Sequence, residues 1–315
     1  MGTEFTKELR RWGPDAQPRT IEPSAAAAYC RRFVLGQYEN FSVATLVLPR
    51  RLLRHFYAVY SFCRWADDLG DETGGGARAL ELLRWWRDEL LCCYAGRPRH
   101  PVMVALRETI ERFRIPRQPF LDLLFAFEQD QLVKRYATYK QLLGYCRHSA
   151  NPVGRLVLYL FECFDPTRAA LSDKICTALQ LTNFWQDVAR DYAIGRVYIP
   201  EDDCHRFGYQ EADFAARRYN RAFVRLMQFE VERARDLFYR GLPLVDLVPA
   251  EVRVDVELFA RGGLAVLGKI ERLDYNVWHR RPTLAKWEKA ALMAGAVWRH
   301  WRARVWPERR SPAEV

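Results

Sequence analysis

The chain has 315 residues, of which 50% are hydrophobic and 14% aromatic, so it is long enough to bury one large core or two small ones. Its formal net charge of +10 favours anionic partners such as diphosphates, acidic lipids or nucleic acids. The basic residues are spread along the chain, without a basic block or a zinc-finger or RNA-binding motif, and we therefore expect no nucleic-acid partner.

Cysteine usage and hydropathy indicate the compartment. The 8 cysteines form no CxxC pair and no His/Cys cluster at zinc spacing. Free thiols in the reducing cytoplasm fit this usage best, and no apolar run approaches the ~20 residues of a membrane-spanning helix. We expect a cytoplasmic protein. Peripheral association with the membrane, contact with other enzymes of a pathway and the oligomeric state are left open.

The predicted elements, in chain order, are almost all helices. Residues 1–22 are polar, punctuated by prolines and aperiodic, which predicts a flexible N-terminal arm. The helical pattern begins at Ser24, a suitable N-cap, and Pro49 suits the first turn of a second helix over 50–72. The triple glycine 74–76 ends that helix. Further helices are expected over 77–95, 101–113, 117–134, 138–161, 168–193, 211–240, 247–273 and 283–304.

The breaks between these helices carry Gly or Pro, as in Gly96-Arg97-Pro98 and Gly241-Leu242-Pro243. No run of alternating β-branched residues is long enough to build a sheet, and no change in composition marks a linker between domains. The sequence therefore predicts one all-α domain over residues 23–305, followed by a C-terminal tail over 306–315.

The stretch CRWADDLGDE, residues 63–72, crowds four carboxylates onto one predicted helix. Asp67 and Asp71 share a face, about 6 Å apart along the helix axis, and Asp68 points to the side. A lone pair at this spacing is usually a solvated helix end. Here a single stripe runs from an apolar segment through Tyr60, Arg64, Asp67 and Asp71. Such a stripe is typical of a pocket wall.

A second polar stripe lies on the helix expected over 168–193. It consists of Gln180, Asn183, Asp187 and Asp191, of which the two aspartates again stand one helical turn apart. Two helices that each offer a carboxylate pair suit Mg²⁺, which prefers oxygen ligands and keeps positions open for phosphate oxygens. The sequence therefore predicts a site for several Mg²⁺ ions and a diphosphate. The predicted ligands are Asp67, Asp71, Asp187, Asp191 and Asn183.

The segment GRVYIP, residues 195–200, directly follows the second pair. Gly195 suits a helix end, and Arg196 and Tyr198 can then reach back to donate hydrogen bonds to a diphosphate. A helix cap with a surface arginine is the alternative for this segment taken alone. The next three residues, Glu201-Asp202-Asp203, are interpreted as a solvated turn.

These motifs resemble those of the squalene/phytoene synthase family. The first aspartate-rich motif of that family is similar to YSFCRWADDLGDE in this chain, and the second is similar to QLTNFWQDVARDYAIGRVYIP. A stretch near the family's C-terminus is similar to YNVWHRRPTLAKWEKAAL. The resemblance extends over about residues 29–296. It implies a single isoprenoid-synthase bundle of helices around a deep apolar cavity, with both acidic motifs near the mouth. It also implies a Mg²⁺-dependent enzyme that acts on a prenyl diphosphate.

Three shorter stretches resemble the hydroxysqualene synthases within that family: GQYENFSVAT, RHSANPVGRLVL and NFWQDV. This resemblance implies conversion of presqualene diphosphate to hydroxysqualene in squalene and hopanoid biosynthesis. Diphosphate leaves, the carbocation rearranges in an apolar cavity, and one water captures it. NADPH is not implied, because no glycine-rich nucleotide fingerprint is present.

Further substrate contacts follow from the resemblance. Asn40-Phe41 stands where related synthases carry a serine before a phenylalanine, so both residues are candidates for substrate binding. A polar stretch that includes His148 and Asn151 replaces the Y-V-A-G of classical squalene synthases, and these two side chains are candidates for placing the water. Arg64 is expected to bind diphosphate. Tyr60 either stabilises the cation, contacts diphosphate or simply packs in the core.

Three alternatives remain at the level of sequence. The nearest is a family member that condenses two prenyl diphosphates to presqualene diphosphate, squalene, dehydrosqualene or phytoene. A non-catalytic relative that acts as an assembly factor fits less well, because both acidic motifs are intact. A basic helical protein that binds nucleic acid is the third. Arg280-Arg281 could contact lipid or diphosphate, although a surface position is the simpler expectation.

Overall fold

A computed structural model describes residues 4–17, 19–36 and 49–305, with only the backbone over 300–305. The helices of these ranges are α1 (Glu4–Trp12), α2 (Pro23–Gly36), α3 (Leu53–Asp71), α4 (Gly76–Tyr94), α5 (Pro101–Phe113), α6 (Gln118–Leu132), α7 (Tyr139–Ser149), α8 (Asn151–Leu160), α9 (Pro166–Ala193), α10 (Glu201–Phe207), α11 (Glu211–Ala215), α12 (Arg221–Gly241), α13 (Leu244–Leu247), α14 (Ala250–Arg272) and α15 (Lys286–Val305). A short 3₁₀ turn, Arg50–Leu52, precedes α3. The all-α prediction is confirmed. The described residues form no strand, only an isolated parallel bridge between Arg135 and Val197.

Two central helices, α3 and α9, carry the acidic motifs. Helix α3 packs against α2, α4, α5 and α6, whereas α9 packs against α7, α8, α12 and α14. The buried face of α3 includes Phe62, Trp65 and Leu69, spaced three and four residues apart as an amphipathic helix requires. Trp65 stacks on Trp86 with ring centroids 5.3 Å apart. This packing fixes the angle at which α3 presents its acidic end.

The N-terminal segment differs from its prediction. Residues 1–22 were expected to be a flexible arm, yet α1 lies within them and buries Phe5 against Trp65, with ring centroids 5.0 Å apart. Phe5, Leu9 and Trp12 follow the helical spacing, and all three contact the core. Three apolar residues in a short polar segment are a weak periodic signal, so the flexible interpretation was wrong for this helix. The predicted tail 306–315 lies outside the described residues.

Several predicted helices are divided where local chemistry requires it. The helix expected over 138–161 breaks at Ala150, because Pro152 cannot continue a preceding helix and instead begins α8. Glu201–Phe207 is helix α10 and not a solvated turn, and its Asp203 is buried. Across the part of the chain that the structure describes, no helix is both long and apolar enough to cross a bilayer.

Candidate active site

The acidic end of α3 is organised around Arg64. Its Nη1 donates to Asp67 Oδ2 at 3.0 Å, and its Nη2 lies 2.5 Å from Asp68 Oδ1 and 3.7 Å from Glu72 Oε1. Asp68 is buried, whereas the carboxylate of Asp71 is exposed. Arg64 was predicted to bind diphosphate, but in the structure it serves as the counter-ion of its own motif.

Burial and crowding disfavour charge on these carboxylates. Burial, followed by the neighbouring Asp71, raises the pKa of Asp67 against the opposing effects of Arg64 and Arg196. Burial likewise raises the pKa of Asp68 to about 7, although Arg64 opposes it. A motif whose carboxylates bind protons this readily lacks full compensation of its negative charge. Additional cations would supply that compensation.

The second motif lies at a kink of α9. Asp187 leaves helical geometry, with φ −106° and ψ 15°. Its carboxylate accepts both arms of the guanidinium of Arg281, with 2.8 Å between Nη2 and Oδ2. The adjacent Gln186 side chain donates to the carbonyl of Pro282. The segment around Arg281, expected from sequence to be at the surface, therefore clamps the kink and orients Asp187.

Asp191 completes this second pair one turn further along α9. Burial, together with the charge of Asp187, raises the pKa of Asp191 to about 7, although Arg196, Arg190 and Arg281 oppose the shift. In both acidic pairs, therefore, burial and a neighbouring carboxylate together disfavour the charge of one aspartate.

Arg196 joins the two motifs. Gly195 adopts a left-handed φ of 77°, which few other residues tolerate. The backbone therefore turns back at the end of α9, and the amide of Arg196 donates a hydrogen bond of 2.8 Å to the carbonyl of Asp191. The guanidinium of Arg196 then lies 4.0 Å from Asp71 Oδ1. A residue that follows the second motif thereby contacts the first, so the predicted convergence of the two motifs is present in the structure.

Asp130 on α6 is a member of the site that sequence reasoning missed. It accepts a hydrogen bond of 2.9 Å from the hydroxyl of Tyr145. Burial raises its pKa to about 6, while Arg196 pulls the pKa down and Asp71 pushes it up. Asp130 therefore lies within the electrostatic field of both motifs. No motif spacing marks it, because its relation to the site arises from the packing of α6 beside α3.

Aromatic rings form one wall beside Arg196. Tyr198 is buried and stacks on Phe184, with centroids 3.7 Å apart, and Tyr136 and Tyr145 lie 5.9 and 6.1 Å from it. Burial raises the pKa of Tyr198 far above its usual range, so the phenol stays neutral. Tyr198 is therefore a neutral hydrogen-bonding group within an aromatic wall.

The remaining predicted site residues do not share one environment. Asn40 and Phe41 lie outside the described residues. Tyr60 is half-buried one turn before Arg64, and burial raises its pKa. On α9, Gln180 is half-buried and Asn183 exposed, on the same stripe as Asp187.

The two predicted water-placing side chains already have protein partners. His148 Nδ1 lies 2.9 Å from the carbonyl of Gly144, and its ring packs on Phe125. Asn151 accepts a 2.9 Å hydrogen bond from Thr177, which ties α8 to α9. The structure thus gives Asn151 a helix-packing contact that sequence analysis did not anticipate.

An apolar cavity of about 150 Å³ lies between α8, α9, α13 and α14. On α9 the cavity begins at Leu179, next to Gln180 of the polar stripe, and extends away from the acidic end. Cys176, Ile175 and Ser172 line it in that direction. Gly154 permits this close approach of α8, because a Cβ there would lie 2.3 Å from Ser172 Oγ. Its apolar lining suits a hydrocarbon chain.

The residues present fit Mg²⁺ only in combination with a ligand. Within the described ranges, no three His, Cys, Asp or Glu side chains are arranged to hold a metal ion on their own. The two aspartate pairs offer hard oxygen donors, and in each pair burial and the neighbouring carboxylate raise the pKa of one member, Asp67 or Asp191. Because Mg²⁺ commonly takes few protein ligands and completes its octahedron with water and phosphate oxygens, this donor set suits ions that arrive with a diphosphate.

Comparison with known proteins was made for both sequence and structure. The family model for squalene/phytoene synthase matches residues 34–288. The crystal structure of squalene synthase HpnC from Alicyclobacillus acidocaldarius aligns with a TM-score of 0.78 and 44% identity, over 82% of this chain and 97% of that chain. A dehydrosqualene synthase in complex with ligand aligns with a TM-score of 0.78 and 27% identity, over 88% and 97%.

Curated sequence relatives carry a different name. A phytoene synthase from Thermus thermophilus is 31% identical over 279 residues, which cover 89% of this chain and 94% of that protein. A phytoene synthase from Arthrospira platensis is 29% identical over 273 residues, which cover 82% and 88%. The similar proteins therefore share a fold and carry names that refer to different products.

Proposed function

We propose that this chain, which belongs to the squalene/phytoene synthase family, converts presqualene diphosphate to hydroxysqualene in a Mg²⁺-dependent reaction. The observation that carries the proposal is the meeting of the two acidic motifs through Arg196 and Asp71, together with the apolar cavity that α9, the helix of the second motif, also lines. The family acts on prenyl diphosphates. This geometry suits a substrate with a diphosphate head and hydrocarbon tails.

Substrate binding would begin at the acidic pairs. Mg²⁺ held by Asp67, Asp71, Asp187 and Asp191, with Asn183 in support, would neutralise the diphosphate and make it a better leaving group. Arg196 is placed to donate charge-assisted hydrogen bonds to the same group, because its guanidinium lies where the two motifs meet, 4.0 Å from Asp71 Oδ1. Arg64 and Arg281 hold the carboxylates in position.

The cavity would control what happens after the diphosphate leaves. Its apolar wall, formed by residues such as Val157, Ile175 and Leu179, excludes bulk water while the carbocation rearranges. Tyr60 lies one helical turn before Arg64, and its ring is a candidate to stabilise developing positive charge. One admitted water then forms the new C–O bond, and its proton passes to the departed diphosphate.

The choice of product rests on sequence similarity. Identity to squalene synthase HpnC is 44%, against 27% for the dehydrosqualene synthase and 31% for the Thermus thermophilus phytoene synthase. The stretches YENFSV, SANPVG and NFWQDV, which resemble hydroxysqualene synthases, support the same choice. Condensation of two prenyl diphosphates is the second candidate, and the phytoene synthases among the relatives favour it.

Separate incubations with the two substrates distinguish these candidates. Purified protein with Mg²⁺ is given either presqualene diphosphate or farnesyl diphosphate, and the organic extracts are analysed by mass spectrometry. The proposal predicts a hydroxylated C30 alcohol from presqualene diphosphate and no turnover of farnesyl diphosphate. Consumption of farnesyl diphosphate, with presqualene diphosphate untouched or converted only to hydrocarbon, would establish the condensing alternative. An Asp187→Asn variant controls for contaminating activity.

A further inference from the structure

One carboxyl group interrupts the apolar cavity. Asp255 on α14 lines the cavity between Val252 and Val256, and only 6% of its surface is exposed. Its Oδ2 is buried, and no described residue donates a hydrogen bond to it. A buried carboxylate oxygen without a hydrogen-bond donor is costly to maintain, and here it stands in an otherwise apolar cavity.

Helix packing places Asp255 in the half of the cavity away from the acidic motifs, because the chain just before α14 lies beside the start of α9, where Arg168 donates to the carbonyl of Leu247. Gly241 packs so closely on α9 that a Cβ there would lie 2.6 Å from Ile175 Cγ1. Leu244 and Val252 continue the cavity wall from that contact, and Asp255 follows Val252 by one turn. Ile175 precedes Asp187 by twelve residues of α9, which corresponds to about 18 Å along the axis. A chain that starts at the diphosphate site thus meets Asp255 only if it is long.

The surroundings of Asp255 leave its carboxyl without electrostatic compensation. The titratable groups facing the same cavity are Cys163, after α8, and Cys176, on α9. Burial raises the pKa of both thiols, that of Cys176 to about 11, so both are neutral. Leu244 of α13 is apolar. Burial alone raises the pKa of Asp255, to about 7. A hydrocarbon chain end pressed against this group would remove its remaining access to water.

We propose that Asp255, in the distal half of the hydrocarbon pocket, makes the protein select prenyl chains of C15 length against longer ones. This inference rests on the proposed function, because it assumes a prenyl diphosphate substrate. A chain one isoprene unit longer would extend past Asp255 and desolvate the carboxyl. A shorter chain would end before it. Asp255 is therefore a specificity-determining residue, distant from the bond that breaks.

The test compares two substrates in matched variants. Presqualene diphosphate and its C40 homologue, built from two C20 chains, are assayed with wild type, Asp255→Leu and Asp255→Asn. Glu251→Leu is the control, because it makes the same substitution on an exposed carboxylate of the same helix. For Asp255→Leu, kcat/KM for the C40 substrate relative to the C30 substrate is expected to rise about tenfold or more, since the desolvation penalty is removed. Asp255→Asn should give a smaller rise, and Glu251→Leu none.

The pH dependence of wild type gives a second readout that needs no variant. Below pH 7 the carboxyl is neutral and less costly to desolvate, so the C40-to-C30 ratio of kcat/KM should rise as the pH falls from 8 to 6. Effects at the diphosphate site act on both substrates and cancel in the ratio. A ratio that is the same in wild type and Asp255→Leu, or that does not change with pH, would overturn the inference alone. Wild type that turns over neither substrate contradicts the proposed function as well.

Discussion

In the structure, arginine side chains contact the carboxylates of both acidic motifs. In the working site, cations would also compensate the negative charge of these carboxylates. Arg64 contacts Asp67 and Asp68, and Arg281 holds Asp187 through two parallel hydrogen bonds. Such bidentate pairs fix the carboxylate plane as well as its charge. The orientation of Asp187, which the kink in α9 would otherwise leave free, therefore depends on a residue 94 positions later in the chain.

Substitution of Arg281 tests this positioning role. Arg281→Gln removes the bidentate pair, and kcat/KM for the prenyl diphosphate is expected to fall about 10- to 100-fold, as for the loss of charge-assisted hydrogen bonds. The control is Arg280→Gln, because Arg280 is the exposed neighbour. Steady-state kinetics and thermal unfolding are measured together. Equal activity of the two variants would show that Arg281 is only a surface group.

The stability of the protein near neutral pH should depend on Asp255. Its folded-state pKa of about 7 lies above the ordinary 3.8, so the folded protein holds a proton more tightly than the unfolded chain. Its contribution to the free energy of unfolding is therefore largest below pH 3.8, falls as the pH rises from there through 7, and is nearly constant above pH 8. Between pH 6 and pH 8 the loss is roughly 1.4 kcal/mol.

Urea unfolding of wild type and Asp255→Leu at pH 6 and pH 8 measures this contribution. The variant is expected to lose less stability between the two pH values, because leucine has no proton to lose. Glu251→Leu again serves as the control. If the pH dependence of wild type and Asp255→Leu were parallel, the carboxyl would not titrate in this range.

At the scale of elements, α10 and α12 hold the segment that carries Arg196 and Tyr198. Arg233 of α12 donates to Asp203 of α10 at 2.7 Å and lies 3.3 Å from Glu230. Its guanidinium is sandwiched between the rings of Tyr139 and Phe229, 4.0 and 4.1 Å from their centroids. Burial raises the pKa of Glu230 well above its usual range, which disfavours a negative charge on Glu230. Arg233 therefore compensates mainly the charge of Asp203.

Removal of Arg233 should destabilise the fold through Asp203. Arg233→Met is expected to lower the free energy of unfolding by about 3 kcal/mol, because it leaves a buried carboxylate unpaired. Addition of Asp203→Asn in the same chain should restore part of that loss. Arg240→Met, which breaks an exposed ion pair with Asp236, should change stability by less than about 1 kcal/mol. A failure of the double variant to recover stability would assign the effect to lost stacking instead.

At the scale of the whole molecule, those features that arise within one helix could be predicted from the sequence. The spacing of Asp67 with Asp71, and of Asp187 with Asp191, is set by helical geometry alone, and Gly and Pro mark most helix ends. Contacts between distant segments could not be predicted this way. Asp130 and Arg281 join the site only through the packing of α6 and of the segment before α15.

The depth of the cavity also arises at this scale, because four helices define it and no motif encodes it. Asp255 shows the difference clearly. In the sequence it is one acidic residue on an amphipathic helix, but in the fold it faces apolar side chains of α8, α9 and α13. The features proposed to select the prenyl chain therefore depend on tertiary packing, whereas those proposed to bind the diphosphate could be predicted from local spacing.

The central claim is that this fold ionises presqualene diphosphate and captures the cation with water. Its most direct test is incubation of the purified protein with presqualene diphosphate and Mg²⁺ in water enriched in ¹⁸O, with mass spectrometry of the extracted product. We predict a C30 alcohol that carries the heavy oxygen, and loss of that product in Asp187→Asn. A C30 hydrocarbon without oxygen, or unchanged presqualene diphosphate, would contradict the claim.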